Sequence, residues 1–315
     1  MLDVLAYLVF FLVIALHYSL ICLGLNLQWG FTGLFNVGVA GFVAIGAYTS
    51  ALLTGPDYAD HWGGLGLPIP VGWLGAMLAS GVAAFLVGAV TLRLRHDYLA
   101  ISTFGIAVTI QLVALNFAKL TGGPFGVSSI PRPFFGVVRS LTLYNLLYLL
   151  IVAGVVILTH AGLERLVRSP WGRVLRGIRE DETATQALGK SPSRFRLEAF
   201  VLGSTIMGLA GAIYAHFIGY IAPEDFQPIL TFQVWTMLIL GGSGNNTGAL
   251  LGGILVWGLW SASGALLTAV LPQEMQARGA ALQVVLIGII LAGVLLLRPR
   301  GLVGEEAVVS RHAAG

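Results

Sequence analysis

Long apolar blocks separated by short polar breaks dominate the chain, at residues 4–25, 31–53, 70–92, 98–118, 142–160, 197–219, 248–270 and 280–297. A helix needs about 20 predominantly apolar residues to cross a hydrocarbon layer roughly 30 Å thick, where only its own hydrogen bonds can satisfy the backbone. Each block is of that size and predicts a transmembrane helix. A further apolar stretch, 230–240, is too short to cross comfortably alone and reads as a short or broken span or a re-entrant piece. The pattern predicts an all-α, polytopic helical bundle with eight or nine crossings.

The polar break at 161–196 is the longest and has a pattern of its own. Ser169-Pro170 predicts a helix start, serine as cap and proline at the first helical position. Trp171, Val174, Leu175 and Ile178 recur at i, i+3, i+4 and i+7, while Arg173, Arg176 and Glu180 project from the other side. A second short helical piece, 182–188, stops at Gly189, a natural C-cap, before Ser191-Pro192 restarts the chain. Two readings follow: an interfacial helix resting its arginines on anionic lipid, or a docking element for a partner at the membrane surface. Glu180, Asp181 and Glu182 favour the second, since lipid headgroups would repel them.

Composition agrees with a membrane protein. Apolar residues are 57% of 315, mean hydropathy is +0.88 and only 10% are charged, against about a quarter in soluble domains. No polar gap is long enough for a separate soluble domain, so residues 1–300 read as one transmembrane domain, with 161–196 as its surface loop and 301–315 as a tail. The first block lacks a basic leader and reads as a retained helix. The single cysteine, Cys22, excludes an intrachain disulfide.

Charge sets the orientation. Arg93 and Arg95 follow the third block, eight of the seventeen Lys and Arg lie between 165 and 196, and Arg298 and Arg300 follow the last block. Lys119, Arg132, Arg139 and Arg278 are spread over the opposite loops. With basic residues inside, and 230–240 counted as a crossing, the N-terminus is outside and the C-terminus cytoplasmic.

Several chemistries are disfavoured. The fourteen acids lie in loops or at span ends, whereas ion-coupled carriers usually need ionisable groups at membrane depth. His17 and His216 are the histidines within apolar blocks, each more simply a hydrogen-bonded packing residue. The six histidines form no metal spacing, no G-x-S-x-G elbow occurs, and a passive channel would leave the charged loop without a task. ATQALGKS ends like a phosphate-binding loop, but Ala184 stands where the first glycine is required and no strand precedes it. Forty-two glycines, including Gly38, Gly41, Gly46, Gly208, Gly211, Gly244, Gly248 and Gly252, suit close helix packing within the monomer.

Five segments then carry a resemblance: GLNLQWGFTGLFNVGVAGFVAIGAYTSALL, RLRHDYLAISTFGIAVTIQLV, LTGGPFGVSSIP, SPWGRVLRGIREDETATQALGKSPSRFRLEAFVLG, and HFIGYIAPEDF with LILGGSGNNTGALLG. Together they resemble the LivM-type permeases of bacterial branched-chain amino-acid ABC importers over roughly residues 20–300, and urea permeases of the same superfamily look similar. The resemblance implies a multi-pass subunit of the bacterial inner membrane, without enzymatic activity or cofactor of its own. Its implied partners are a homologous LivH-like permease, two cytoplasmic ATPases of the LivG and LivF type that bind ATP and Mg, and a periplasmic substrate-binding protein, with the lipid bilayer around it and no nucleic acid. It further implies that 161–196 is similar to the EAA loop that seats in an ATPase groove, which makes Trp171, Arg173, Arg176, Glu180, Glu182 and Gly189 the expected coupling residues. The family's glutamate six positions before the glycine is Thr183 here, with Glu182 one residue earlier, and the usual G-H-G of the second block is absent around Asn36, Gly38 and Val39. Polar residues in apolar blocks face protein rather than lipid, so Asn36, Thr103, Gln111, His216 and Asn246 are candidates for the translocation path or for bonds between helices. The alternatives are a urea or short-amide permease or, in a different class, an ion-coupled carrier or passive channel.

Overall fold

A computed structural model describes residues 2–57, 62–94, 96–134, 140–272, 275–298 and 300–305; Arg95, Arg139 and 306–315 of the tail lie outside the described residues. The described helices are α1 (Leu2–Gln28), α2 (Val39–Thr54), α3 (Ile69–Thr91), α4 (His96–Asn116), α5 (Ala118–Thr121), α6 (Leu141–Arg168), α7 (Pro170–Glu180), α8 (Glu182–Ala187), α9 (Pro192–Ile218), α10 (Pro228–Gly241), α11 (Asn246–Val270) and α12 (Gln276–Leu297). Among the described residues there is no strand, and one isolated antiparallel bridge pairs Val127 with Ile221. The chain is an all-α, polytopic membrane protein.

Six helices, α1, α3, α4, α6, α9 and α11, are long and apolar enough to cross a membrane. α2 and α10 are apolar but only 16 and 14 residues long, or about 24 and 21 Å at 1.5 Å per residue, short of the roughly 30 Å hydrocarbon layer. Eight crossings require α2 and the 22-residue α12 in addition to the six, and nine require α10 as well.

The second block departs most from expectation. Instead of one helix over 31–53, the chain turns after α1, runs without regular structure to Gly38 and becomes helical only at Val39. Irregular backbone inside a bundle needs substitute hydrogen-bond partners, and this segment has them. Val37 N–H donates to Thr103 Oγ1 at 3.0 Å, Gly38 N–H to Asn36 Oδ1 at 2.7 Å, and Ala40 N–H to Thr231 Oγ1 at 3.0 Å. The Asn36 carbonyl accepts from Trp235 Nε1 at 2.9 Å. Apolar periodicity carries no trace of such a break, because Phe31, Leu34 and Val37 are buried as they would be in a helix.

The centre of the bundle is α9, packed against α1, α2 and α3, with α1 also meeting α6, α10 and α11. Glycine allows the closest of these approaches: a Cβ on Gly46 of α2 would lie 2.0 Å from the Gly208 carbonyl of α9. One on Gly211 would lie 2.0 Å from the Val43 carbonyl. Backbones so close gain dispersion contacts where lipid supplies no hydrophobic drive between helices.

Candidate functional site

The three basic places predicted to share a side gather at one end of the bundle. Arg93 and Arg196 line one cavity of about 370 Å³ with Glu182, and Arg179 meets Glu305, which follows Arg300 by five residues. The segment 169–191 crosses this end. Residues 161–168, expected in the loop, are instead the last two turns of α6, stabilised by the i,i+4 ion pair Glu164–Arg168 at 3.0 Å. An α-helix satisfies its own backbone in water as in lipid, so falling hydropathy does not end it.

α7 begins at Pro170 as predicted, but Ser169 Oγ donates back to the Leu166 carbonyl at 2.6 Å and caps no amide of α7. Leu175 and Ile178 are buried and form the apolar stripe. Gly172 is buried beside them, its Cα facing the Val167 backbone so closely that a Cβ would approach to 2.2 Å. α8 is capped by Asp181, whose carboxylate accepts from Ala184 N–H at 2.9 Å, a cap the sequence reading missed although Asp is a preferred N-cap residue. Residues 184–187, the first half of the phosphate-loop look-alike, are helical. Gly189 ends the piece with φ of +76°, the left-handed conformation that favours glycine.

The expected coupling residues divide into anchors and outward groups. Trp171 Nε1 donates to Glu198 Oε2 of α9 at 2.8 Å, and Glu198 Oε1 is paired with Arg194 at 2.8 Å. Glu182 is paired with Arg196 of α9 at 2.9 Å. Both therefore pin the loop to a membrane helix. Arg176, expected to project outward, reaches back 3.2 Å to the Val167 carbonyl, one of the unpaired carbonyls at the end of α6, where a cation is favoured. Arg173, Glu180 and Gly189 are exposed. Beside Gly189, Leu188 is 81% exposed, and with Ala184 and Ala187, at i, i+3 and i+4, it makes an apolar tip.

The candidate path residues are tied into the bundle. Asn36 Nδ2 donates to Gln28 Oε1 at 2.8 Å, and Gln28 Nε2 in turn bonds the Phe200 carbonyl and Ser204 Oγ of α9. Thr103 holds the irregular segment through Val37. His216 lies 2.8 Å from Ser50 Oγ and 2.7 Å from the Pro131 carbonyl. Asn246 accepts from Asn26 Nδ2 and donates to Glu164 Oε1, both at 3.0 Å. Gln111 is half-buried, 3.4 Å from the Pro223 carbonyl. Asp225, passed over in the sequence, lies at the opposite end of α9: burial raises its carboxyl above the ordinary range, against lowering by the Ala222 N–H and the Tyr214 hydroxyl.

With this geometry in place, comparison with known proteins is decisive about kinship. The model of the family described as "Branched-chain amino acid transport system / permease component" matches residues 7–295. The chain belongs to this family. It is 37% identical over 269 residues to the high-affinity branched-chain amino acid permease protein LivM of Salmonella typhimurium and, equally, of Escherichia coli, covering 76% of this chain and 59% of each relative. It thus spans about three fifths of the length of those permeases. It is 28% identical to the probable branched-chain amino acid transport permease protein LivM of Methanocaldococcus jannaschii, over 93% of this chain and 92% of that one. The permease protein LivH of Salmonella typhimurium is 25% identical over 92% of both. No solved structure matches the chain.

Proposed function

We propose that this chain is the LivM-type membrane subunit of an ABC importer in a bacterial inner membrane, passing branched-chain or other hydrophobic amino acids by alternating access driven by ATP hydrolysis elsewhere. Its partners are a homologous LivH-like permease, two cytoplasmic ATPases that hold ATP and Mg, and a periplasmic binding protein. Residues 1–300 form the permease domain and 301–315 its cytoplasmic tail. One observation carries the coupling role: the loop is tied to α9 by Trp171–Glu198 and Glu182–Arg196, yet its tip presents Leu188, Ala184, Ala187 and Gly189 to solvent. An apolar knob on a stiff arm suits a groove in a protein that must push it, and membership of a transport-system permease family supplies the context.

The test is copurification. Leu188→Asp, expressed with both ATPases, is expected to insert and pack normally while recovering less than about a tenth of the ATPase bound by the wild type. Wild-type recovery would refute the tip as the docking surface.

A further inference from the structure

Arg179 joins the loop to the α1–α2 turn and to the segment that follows α12. It lies four residues after Leu175 on α7 and points inward, its side chain 24% exposed. One guanidinium nitrogen donates to the Gly30 carbonyl in the turn between α1 and α2; the other lies 2.8 Å from Glu305 Oε2, with Glu180 further off at 3.8 Å.

Both partners are tied into the bundle. A Cβ on Gly30 would lie 2.1 Å from Asn26 Oδ1 and 2.4 Å from Gly244 N, so this turn is wedged against the turn between α10 and α11. Asn26 Oδ1 also accepts from Gly244 N–H at 2.9 Å, which fastens α1 to that turn. Glu305 lies in a strap, residues 302–305, laid across it. Leu302 and Val303 N–H donate to the Leu240 and Gly241 carbonyls, each at 2.9 Å, and Asn245 Nδ2 donates to the Gly304 carbonyl at 3.2 Å. The strap therefore belongs to the bundle and Arg179 to the loop, and the ion pair spans the boundary between them.

We propose that Arg179 is the positioning residue through which displacement of the loop reaches the α1–α2 turn, and that Glu305 restrains it in the resting state. The argument rests on the coupling reading above. The α1–α2 turn leads into the irregular segment 33–38, which hydrogen-bonds to α4 through Thr103 and to α10 through Trp235. A pull on Gly30 is thus delivered to three membrane helices, α1, α4 and α10. Glu305 holds the other nitrogen of the same guanidinium and sets how readily the loop moves without substrate.

The experiment uses the complete transporter in nanodiscs, with basal and binding-protein-stimulated ATP hydrolysis measured separately. Stimulation in the wild type tests the coupling reading on its own; the variants test the restraint. Glu305→Gln, an isosteric change in the strap, is expected to raise basal hydrolysis about fivefold while the stimulated rate is retained. Arg179→Gln is expected to raise the basal rate similarly and to lose stimulation, with the ATPases still bound. The exchange Arg179→Glu with Glu305→Arg is expected to return the basal rate towards wild type without restoring stimulation, because glutamate cannot donate to the Gly30 carbonyl. An unchanged basal rate in an assembled Glu305→Gln complex would overturn the restraint, and full stimulation in Arg179→Gln would overturn the transmission.

Discussion

Single side chains at the basic end do two different kinds of work. Trp171 and Glu182 look alike in sequence to Arg173 and Glu180, as polar or aromatic members of one charged loop, yet the first pair anchors and the second pair faces water. The difference is whether a partner of opposite character lies across the gap on α9, which helical periodicity cannot report. Arg179 could have been noticed, since i+4 from Leu175 puts it on the buried side of α7. Thr231 and Trp235 were less accessible, because their value lies in bonding backbone that the apolar pattern presents as helix, and Gln28 because it holds the Asn36 side chain of that same segment. At this scale Trp171→Phe keeps the ring and removes one hydrogen bond to a carboxylate, a loss of about 1 kcal/mol given Glu198's partial exposure. The expected outcome is normal ATPase binding with a several-fold lower uptake per ATP hydrolysed, read from parallel uptake and phosphate-release assays; unchanged coupling would show that the tether has no mechanical part.

At the scale of elements, the long helices were legible because their lengths and apolar composition are imposed by the bilayer itself. Boundaries drawn where hydropathy falls were less so: α6 runs eight residues past the expected end, and α2 starts eight residues late. The glycines expected to permit close packing within the monomer occupy such positions, as Gly46, Gly208 and Gly211 demonstrate. Gly46→Val should therefore destabilise the fold by about 3 kcal/mol, since the obstructing atom is a backbone carbonyl that cannot swing aside. Gly105→Ala, where nothing lies within 4 Å of the added atom, should be neutral. Thermal denaturation of the detergent-solubilised chain separates the two; equal melting temperatures would contradict the packing.

The whole molecule is a helical membrane bundle whose densest charge sits on one arm at one end. Membership of the permease family and the breadth of the matches, from residue 7 to 295, make the fold and class secure. The candidate site was legible as a place, from the charges clustered at 165–196, but its internal division into anchors, tip and Arg179 required three dimensions. On the proposed coupling, the energy source lies in partner subunits. The most direct measurement of this claim is uptake of radiolabelled leucine into proteoliposomes. With the second permease, the ATPases and the binding protein present, accumulation should depend on ATP and continue after the proton gradient is collapsed, while the chain alone should accumulate nothing. Saturable accumulation by the chain alone, or loss of uptake in step with the gradient at constant ATP, would contradict the account.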